Sequence, residues 1–329
     1  MKPTERLLAL AAATLAAAGP AQALDASRED VRAFVSEMEA KHGLERAWLD
    51  KVFDRATSQP RIVELISRPA ERVKPWYEYR EHFLTEQRIR EGVEFWQRHR
   101  DRLAEVEAST GVHAHVIVGI LGVETFYGRI TGSFRVLDAL ATLAFDYPPR
   151  SPFFRSQLEH FLLLAREEPI DLFGVKGSYA GAMGSPQFMP GSYRVFAVDG
   201  DGDGRRDLWG SWDDVIASVA NYLAEHGWRA GEPIVVPAGL QDPDVEGLVA
   251  NRLTLEDTAG ALRARGVVFD APLDDDAPAV FVDVAGDGGP ELRVGFTNFH
   301  AITRYNRSVL YALAVHDLGS RIAARLPGS

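Results

Sequence analysis

Val112-His-Ala-His-Val-Ile-Val-Gly-Ile-Leu-Gly-Val-Glu124 decides how this chain is read. Val116, Ile117, Ile120 and Leu121 recur at helical spacing, and Glu124 falls four residues after Ile120 on the same apolar stripe. A carboxyl placed there loses hydration, so its charged form is disfavoured and its pKa rises, as a general acid near neutral pH requires. The run continues Thr125-Phe-Tyr-Gly128. Gly128 suits a C-terminal cap, which puts Glu124 in the last turn, where the helix dipole also opposes negative charge. The plainer alternative is a half-buried Glu satisfied by an arginine or a backbone N–H.

A second stretch is as unusual: Gly177-Ser-Tyr-Ala-Gly-Ala-Met-Gly-Ser-Pro-Gln-Phe-Met-Pro-Gly-Ser-Tyr193. Its glycines permit close backbone approach, and Pro190 fits the first turn of a helix continuing through Tyr193, so the segment reads as a pocket wall. Together with Gly122–Gly128 and Asp138-Ala-Leu-Ala-Thr-Leu-Ala-Phe-Asp-Tyr-Pro148, it resembles the lytic murein transglycosylase B family, which cleaves peptidoglycan. The resemblance runs over roughly residues 70 to 320 and takes in Ser218-Val-Ala-Asn-Tyr222 and Asn298-Phe-His-Ala-Ile-Thr-Arg-Tyr-Asn306. It implies a mainly α (α+β) fold: a lysozyme-like helical core, a helical flanking domain and a small α+β insert. It also implies Glu124 as the catalytic acid and base, with sugar-contacting positions at Ser178, Gln187, Tyr222, Tyr305, Asn306 and Tyr311. One departure is Ser185-Pro186 ahead of Gln187, where the family commonly has a bulkier or more flexible pair.

Around these motifs the 329 residues, 46% hydrophobic and 25% charged, are enough for a sizeable core and about two or three domains. Lys2 and Arg6, an apolar stretch from Leu7 to Ala18 and the pattern Ala21-Gln22-Ala23 make a secretory signal peptide over 1–23, cleaved before Leu24. The apolar stretch is too short to span a bilayer, and with no cysteine there is neither a disulfide nor a lipid-bearing residue. The expectation is a periplasmic protein without a membrane anchor. A net charge of −11 argues against nucleic acid as a partner, because that affinity rests on phosphate neutralisation. Peptidoglycan glycan strands are the expected partner. The helical domain or the insert would serve any contact with cell-wall synthesis proteins.

Residues 24–110 read as helical; Val31, Phe34, Val35 and Met38 set the period. Residues 111–232 make the catalytic core, with helices expected over Val136–Phe145, Phe153–Arg166 and Trp212–His226, the last opened by a Ser211/Asp214 capping box. Over 233–297 the pattern changes to short strands at Ile234–Pro237, Ala279–Val284 and Glu291–Phe296, with one short helix in Leu255–Arg265; 298–329 then returns as helix.

Asp199-Gly-Asp-Gly-Asp-Gly-Arg-Arg-Asp207 matches an EF-hand calcium loop. Asp199, Asp201 and Asp203 stand at positions 1, 3 and 5, Gly204 at 6, the Arg205 carbonyl at 7 and Asp207 at 9. Gly210 stands where a bidentate Glu belongs; the resembled family closes a longer loop with a later carboxylate, here Asp213. Carboxylates so close repel one another without a cation, so a structural Ca2+ is expected, and no cofactor for catalysis.

HExxH and G-x-S-x-G are both absent, which removes the familiar metal-hydrolase and serine-hydrolase patterns. A hydrolytic glycosidase sets two carboxyls across the scissile bond, and here only Glu124 presents itself. Asp138 and Asp146 remain as sources of a second carboxyl for a lysozyme-type hydrolase, and a non-catalytic peptidoglycan-binding module is the third reading.

Overall fold

The computed structural model describes residues 21–67, 74–242 and 247–327. Apart from its last three residues, the expected signal peptide lies outside that range. Leu24 is buried, and its N–H donates to the Ala56 carbonyl at 3.0 Å. Just before it, Gln22–Ala23 pairs antiparallel with Thr57–Ser58.

The apolar helix forms over Ala114–Thr125, buried through Val116, Ile117, Val118, Ile120 and Leu121. It is covered by the C-terminal helix Val309–Ala323, itself buried through Leu313, Val315, Leu318 and Ile322. Their approach depends on two glycines. A Cβ at Gly119 would stand 2.4 Å from the Val315 carbonyl oxygen, and one at Gly319 would stand 2.1 Å from that of His115. These contacts fix the register of the two helices. Outside them pack Val136–Asp146, Ser151–Glu167 and Trp212–Glu225, all close to expectation, and the N-terminal helices Glu29–His42, Arg46–Asp54, Trp76–Glu81, Glu86–Arg98 and Arg100–Thr110. Buried side chains from Leu24 to Ile322 make one apolar cluster, so the N-terminal helices and the Glu124 helix share a core.

The insert is a four-stranded antiparallel sheet in the order Val235–Pro237, Gly289–Gly295, Pro278–Gly286, Asp257–Thr258. It carries a second apolar cluster around Phe281, Val294 and Phe296. The hairpin forms as expected, with Asp287 and Gly288 between the paired Gly286 and Gly289. The helix expected over Leu255–Arg265 is shorter, Ala259–Ala264, because Asp257–Thr258 joins the sheet beside Ala279 and Thr258 then caps the helix through the Ala261 N–H. Arg80 pairs with Asp287 and Glu291, and Arg293 with Asp317 at 2.6 Å, tying the hairpin to the Trp76–Glu81 helix and to the C-terminal helix. Among the described residues no single helix is long and apolar enough to cross a membrane.

Candidate active site

Glu124 stands in the last turn of its helix, as expected, but the end of that helix differs from expectation. Left-handed backbone begins two residues before Gly128, at Phe126 (φ 52°) and Tyr127 (φ 56°). Such conformations cost roughly 1–3 kcal/mol each for residues with a side chain and collect at functional sites. They are held by the Tyr127 N–H on the Leu121 carbonyl at 3.0 Å and by Thr125, whose hydroxyl donates to the Ser185 carbonyl at 2.8 Å. The helix end is therefore fastened to the glycine-rich segment.

The Tyr311 hydroxyl donates to Glu124 Oε1 at 2.6 Å. Desolvation pushes the Glu124 carboxyl up to about 7, against the opposing pull of the Tyr311 hydrogen bond. Burial and the neighbouring Glu124 charge push the Tyr305 and Tyr311 phenols well above their ordinary range, so both keep their protons. Their rings stack at 6.5 Å, and Tyr222 meets Tyr305 edge-on at 4.8 Å. Tyr222 spends its hydroxyl on the Arg304 carbonyl and Tyr305 on the Pro186 carbonyl. Of these three tyrosines Tyr311 alone reaches the carboxyl.

Gln187 adopts φ 54° and donates its amide to the Thr131 and Gly184 carbonyls, bridging the loop after the Glu124 helix to the glycine-rich wall. The Ser178 hydroxyl oxygen accepts the Ala180 and Ala182 N–H groups. Asn306 follows Tyr305 at the end of the Thr297–Tyr305 helix and is exposed. The departure at Ser185-Pro186 has a structural use, since those two carbonyls receive Thr125 and Tyr305.

Tyr79, which the sequence reading missed, also belongs here. Burial and the Glu124 charge raise its phenol, and it lies 5.2 Å from Phe83. The only signal for it was the density of aromatics, Trp76, Tyr77 and Tyr79, in the short helix Trp76–Glu81.

Neither alternative carboxyl is free for chemistry. Asp138 accepts both arms of Arg135 at 2.7 Å, the Thr57 N–H and the Gln59 amide; Asp146 accepts Arg28 and Ser58, both at 2.5 Å. They anchor residues 28 and 57–59 to the Val136–Asp146 helix.

In the acidic loop, carboxylate oxygens of Asp199, Asp201 and Asp203 lie within 4.8 Å of one another. Asp199 accepts the N–H groups of Gly202, Asp203 and Gly204, which curls the loop around it. This all-oxygen set suits a hard cation such as calcium. Asp207 instead receives the Trp209 and Gly210 N–H groups, and Asp213 faces Arg102 at 3.8 Å, so neither joins the trio. The capping box is half formed. Ser211 Oγ accepts the Asp214 N–H, but the buried Asp214 carboxylate turns away to the N–H groups of Gly200, Asp201 and Asp207. Asp214 thereby fastens the loop to its helix, a role hidden by the simpler capping reading.

Residues 26–320 match the family described as "Transglycosylase SLT domain". The chain is 39% identical over 307 residues to the membrane-bound lytic murein transglycosylase B of Escherichia coli strain K12, covering 91% of this chain and 84% of that protein. It superposes on the catenated lytic transglycosylase SltB1 of Pseudomonas aeruginosa with a TM-score of 0.87 at 49% identity, covering 90% and 98% of the two chains. The E. coli lytic transglycosylase Slt35 in complex with calcium gives a TM-score of 0.84 at 38% identity over 92% and 96%.

Proposed function

The chain belongs to the transglycosylase SLT family of lytic murein transglycosylases, and on that premise we propose that Glu124 alone carries both proton transfers of glycosidic cleavage in peptidoglycan. One observation carries this reading: a single carboxyl, pushed to about 7 and held by Tyr311, with no second carboxylate hydrogen-bonded to its cluster among the described residues. The bond is the β-1,4 link from N-acetylmuramic acid to N-acetylglucosamine. Neutral Glu124 gives its proton to the glycosidic oxygen as the C1–O4 bond breaks, and the substrate's acetamido group assists at C1. Ionised Glu124 then takes the C6 hydroxyl proton while O6 closes onto C1, leaving a 1,6-anhydro end and a reprotonated acid. A pKa near 7 suits a group that must both give and take. Tyr311 steadies the carboxylate between the two steps. Ser178, Gln187 and Asn306 supply polar contacts to the sugars, and Tyr222 and Tyr305, their hydroxyls already engaged, supply ring surface.

Purified sacculi digested by the enzyme should release muropeptides lighter by one water than lysozyme products and resistant to borohydride. Reducible ends would mean a hydrolase instead.

The acidic loop holds a structural calcium through Asp199, Asp201 and Asp203, completed by Asp207, Asp213 and the Arg205 carbonyl after a local turn of those residues. A ligand confined to the native state stabilises it by mass action. Calcium should therefore raise the melting temperature by a few degrees over chelator at equal ionic strength, and Asp201→Ala should abolish the difference. Equal melting in calcium and chelator would remove the metal from this loop. We place the enzyme in the periplasm after cleavage before Leu24.

A further inference from the structure

Beside the Glu124 helix lies a cation that makes no ion pair among the described residues, Glu91 acting on it only from a distance. Phe126, in its left-handed conformation two residues after Glu124, has two guanidinium groups over its ring: Arg129 at 4.7 Å and Arg88 at 4.6 Å. Their circumstances differ. Arg129 is neutralised by both oxygens of Glu91, at 2.6 and 2.7 Å, and Glu91 also accepts the Gln87 amide. Arg88 is half-buried, pairs with no carboxylate among the described residues, and makes a single side-chain hydrogen bond, from Nη1 to the His82 carbonyl at 3.0 Å. Its Nε is buried with no partner at all.

A half-buried guanidinium in this state is costly, because its buried Nε has lost water without gaining a partner. Burial accordingly weakens its hold on the proton. The Phe83 and Phe126 rings flank it at 5.2 and 4.6 Å. Its position is suggestive. Phe126 joins Arg88 to the end of the Glu124 helix, and Phe83 joins it to Tyr79, which feels the Glu124 charge. The Tyr127 hydroxyl donates to the Arg88 carbonyl at 2.9 Å and fixes that backbone against the same helix end.

We propose that Arg88 is an anion-binding residue beside the end of the Glu124 helix, which receives a carboxylate of the substrate's peptide stem while the glycan lies against Glu124. The proposal rests on the peptidoglycan reading given above. A guanidinium is a donor well matched to a carboxylate, and a bound carboxylate would partner the Nη groups, of which Nη1 alone is engaged, on the His82 carbonyl. The overall negative charge of the protein makes a local cation the means by which an anionic stem is accepted at all.

The test compares glycan strands bearing native stems with the same strands whose stem carboxylates have been converted to methylamides. Wild-type enzyme should show kcat/KM at least ~10-fold higher on the native strands, as expected for a charge-assisted hydrogen bond of ordinary strength. Arg88→Gln should lose about that factor on native strands and nothing further on amidated ones, so that the two substrates become equal. Arg88→Lys, which keeps the charge without the fork, should retain only part of the preference, and it reads the same ratio if the glutamine variant does not fold. An undiminished preference in either variant overturns the proposal, as does a wild type that treats both substrates alike, or a glutamine variant that loses equally on both. Failure of the wild type to make anhydro ends from either substrate would instead overturn the reading on which the proposal rests.

Discussion

Glu124→Gln should cut anhydromuropeptide release by at least ~10²–10⁴-fold, the usual loss for a general acid or base, with the upper end favoured because one group here serves as both. The amide matches the carboxyl in size and can still accept the Tyr311 hydroxyl, so the geometry survives while the transferable proton is gone. The same substitution should raise stability, with a diagnostic pH dependence. The folded-state pKa of Glu124, about 7, lies above its unfolded value, so ionisation is a burden on the folded state. That burden is absent below about 4.5, grows between there and 7 and is constant above, with a ceiling of ~3 kcal/mol at about 1.4 kcal/mol per pKa unit. The glutamine variant should therefore melt with wild type in acid and above it at neutral pH. In wild type the rate should fall as the acid form is lost above about pH 7. Near-normal release by a folded variant would take Glu124 out of the chemistry.

The largest loss of stability is expected at Gly319→Ala. One methyl there would sit 2.1 Å from the His115 carbonyl oxygen, which is backbone and has no rotamer to retreat into. The C-terminal and Glu124 helices must part by more than an ångström, breaking the packing around Leu318 and Ile322, at a cost of ~3 kcal/mol or more. For a chain of 329 residues that is roughly a 4–5 °C fall in melting temperature. Activity should fall with it, because Tyr311 rides on the displaced helix. Gly288→Ala, in open space within the hairpin turn, is the control and should leave melting within about 1 °C. Equal melting of the two variants would show that the helices tolerate separation.

What was legible in the sequence was whatever depended on neighbours along the chain. The stripe Val116, Ile117, Ile120, Leu121 announced a buried helix and put Glu124 on it, and alternation with an Asp-Gly turn announced the hairpin of Pro278–Gly286 and Gly289–Gly295. What depended on distant partners was not legible. Period and propensity do not say which of Tyr222, Tyr305 and Tyr311 turns its hydroxyl to Glu124, since that follows from the Gly119 and Gly319 contacts. Tyr79 was invisible for the same reason. Gly128 is left-handed as local preference has it, at φ 82°, and tertiary contacts extended the left-handed turn back over Phe126 and Tyr127. Asp214 met a local rule that its buried carboxylate then ignored.

The Tyr311–Glu124 bond closes across 187 residues of sequence, and this sets the order in which a dangerous activity comes into being. Translation proceeds from the N-terminus, so a nascent chain delivers Glu124 long before the helix that carries Tyr311. Until Val309–Ala323 has emerged and docked, Glu124 remains a solvated carboxylate of ordinary acidity, ionised at neutral pH and unable to protonate a leaving group. Fragments released by premature termination or clipped ahead of that helix are harmless to the wall for the same reason. On the proposed reading of Glu124, the capacity to cut arrives only once that last helix has docked.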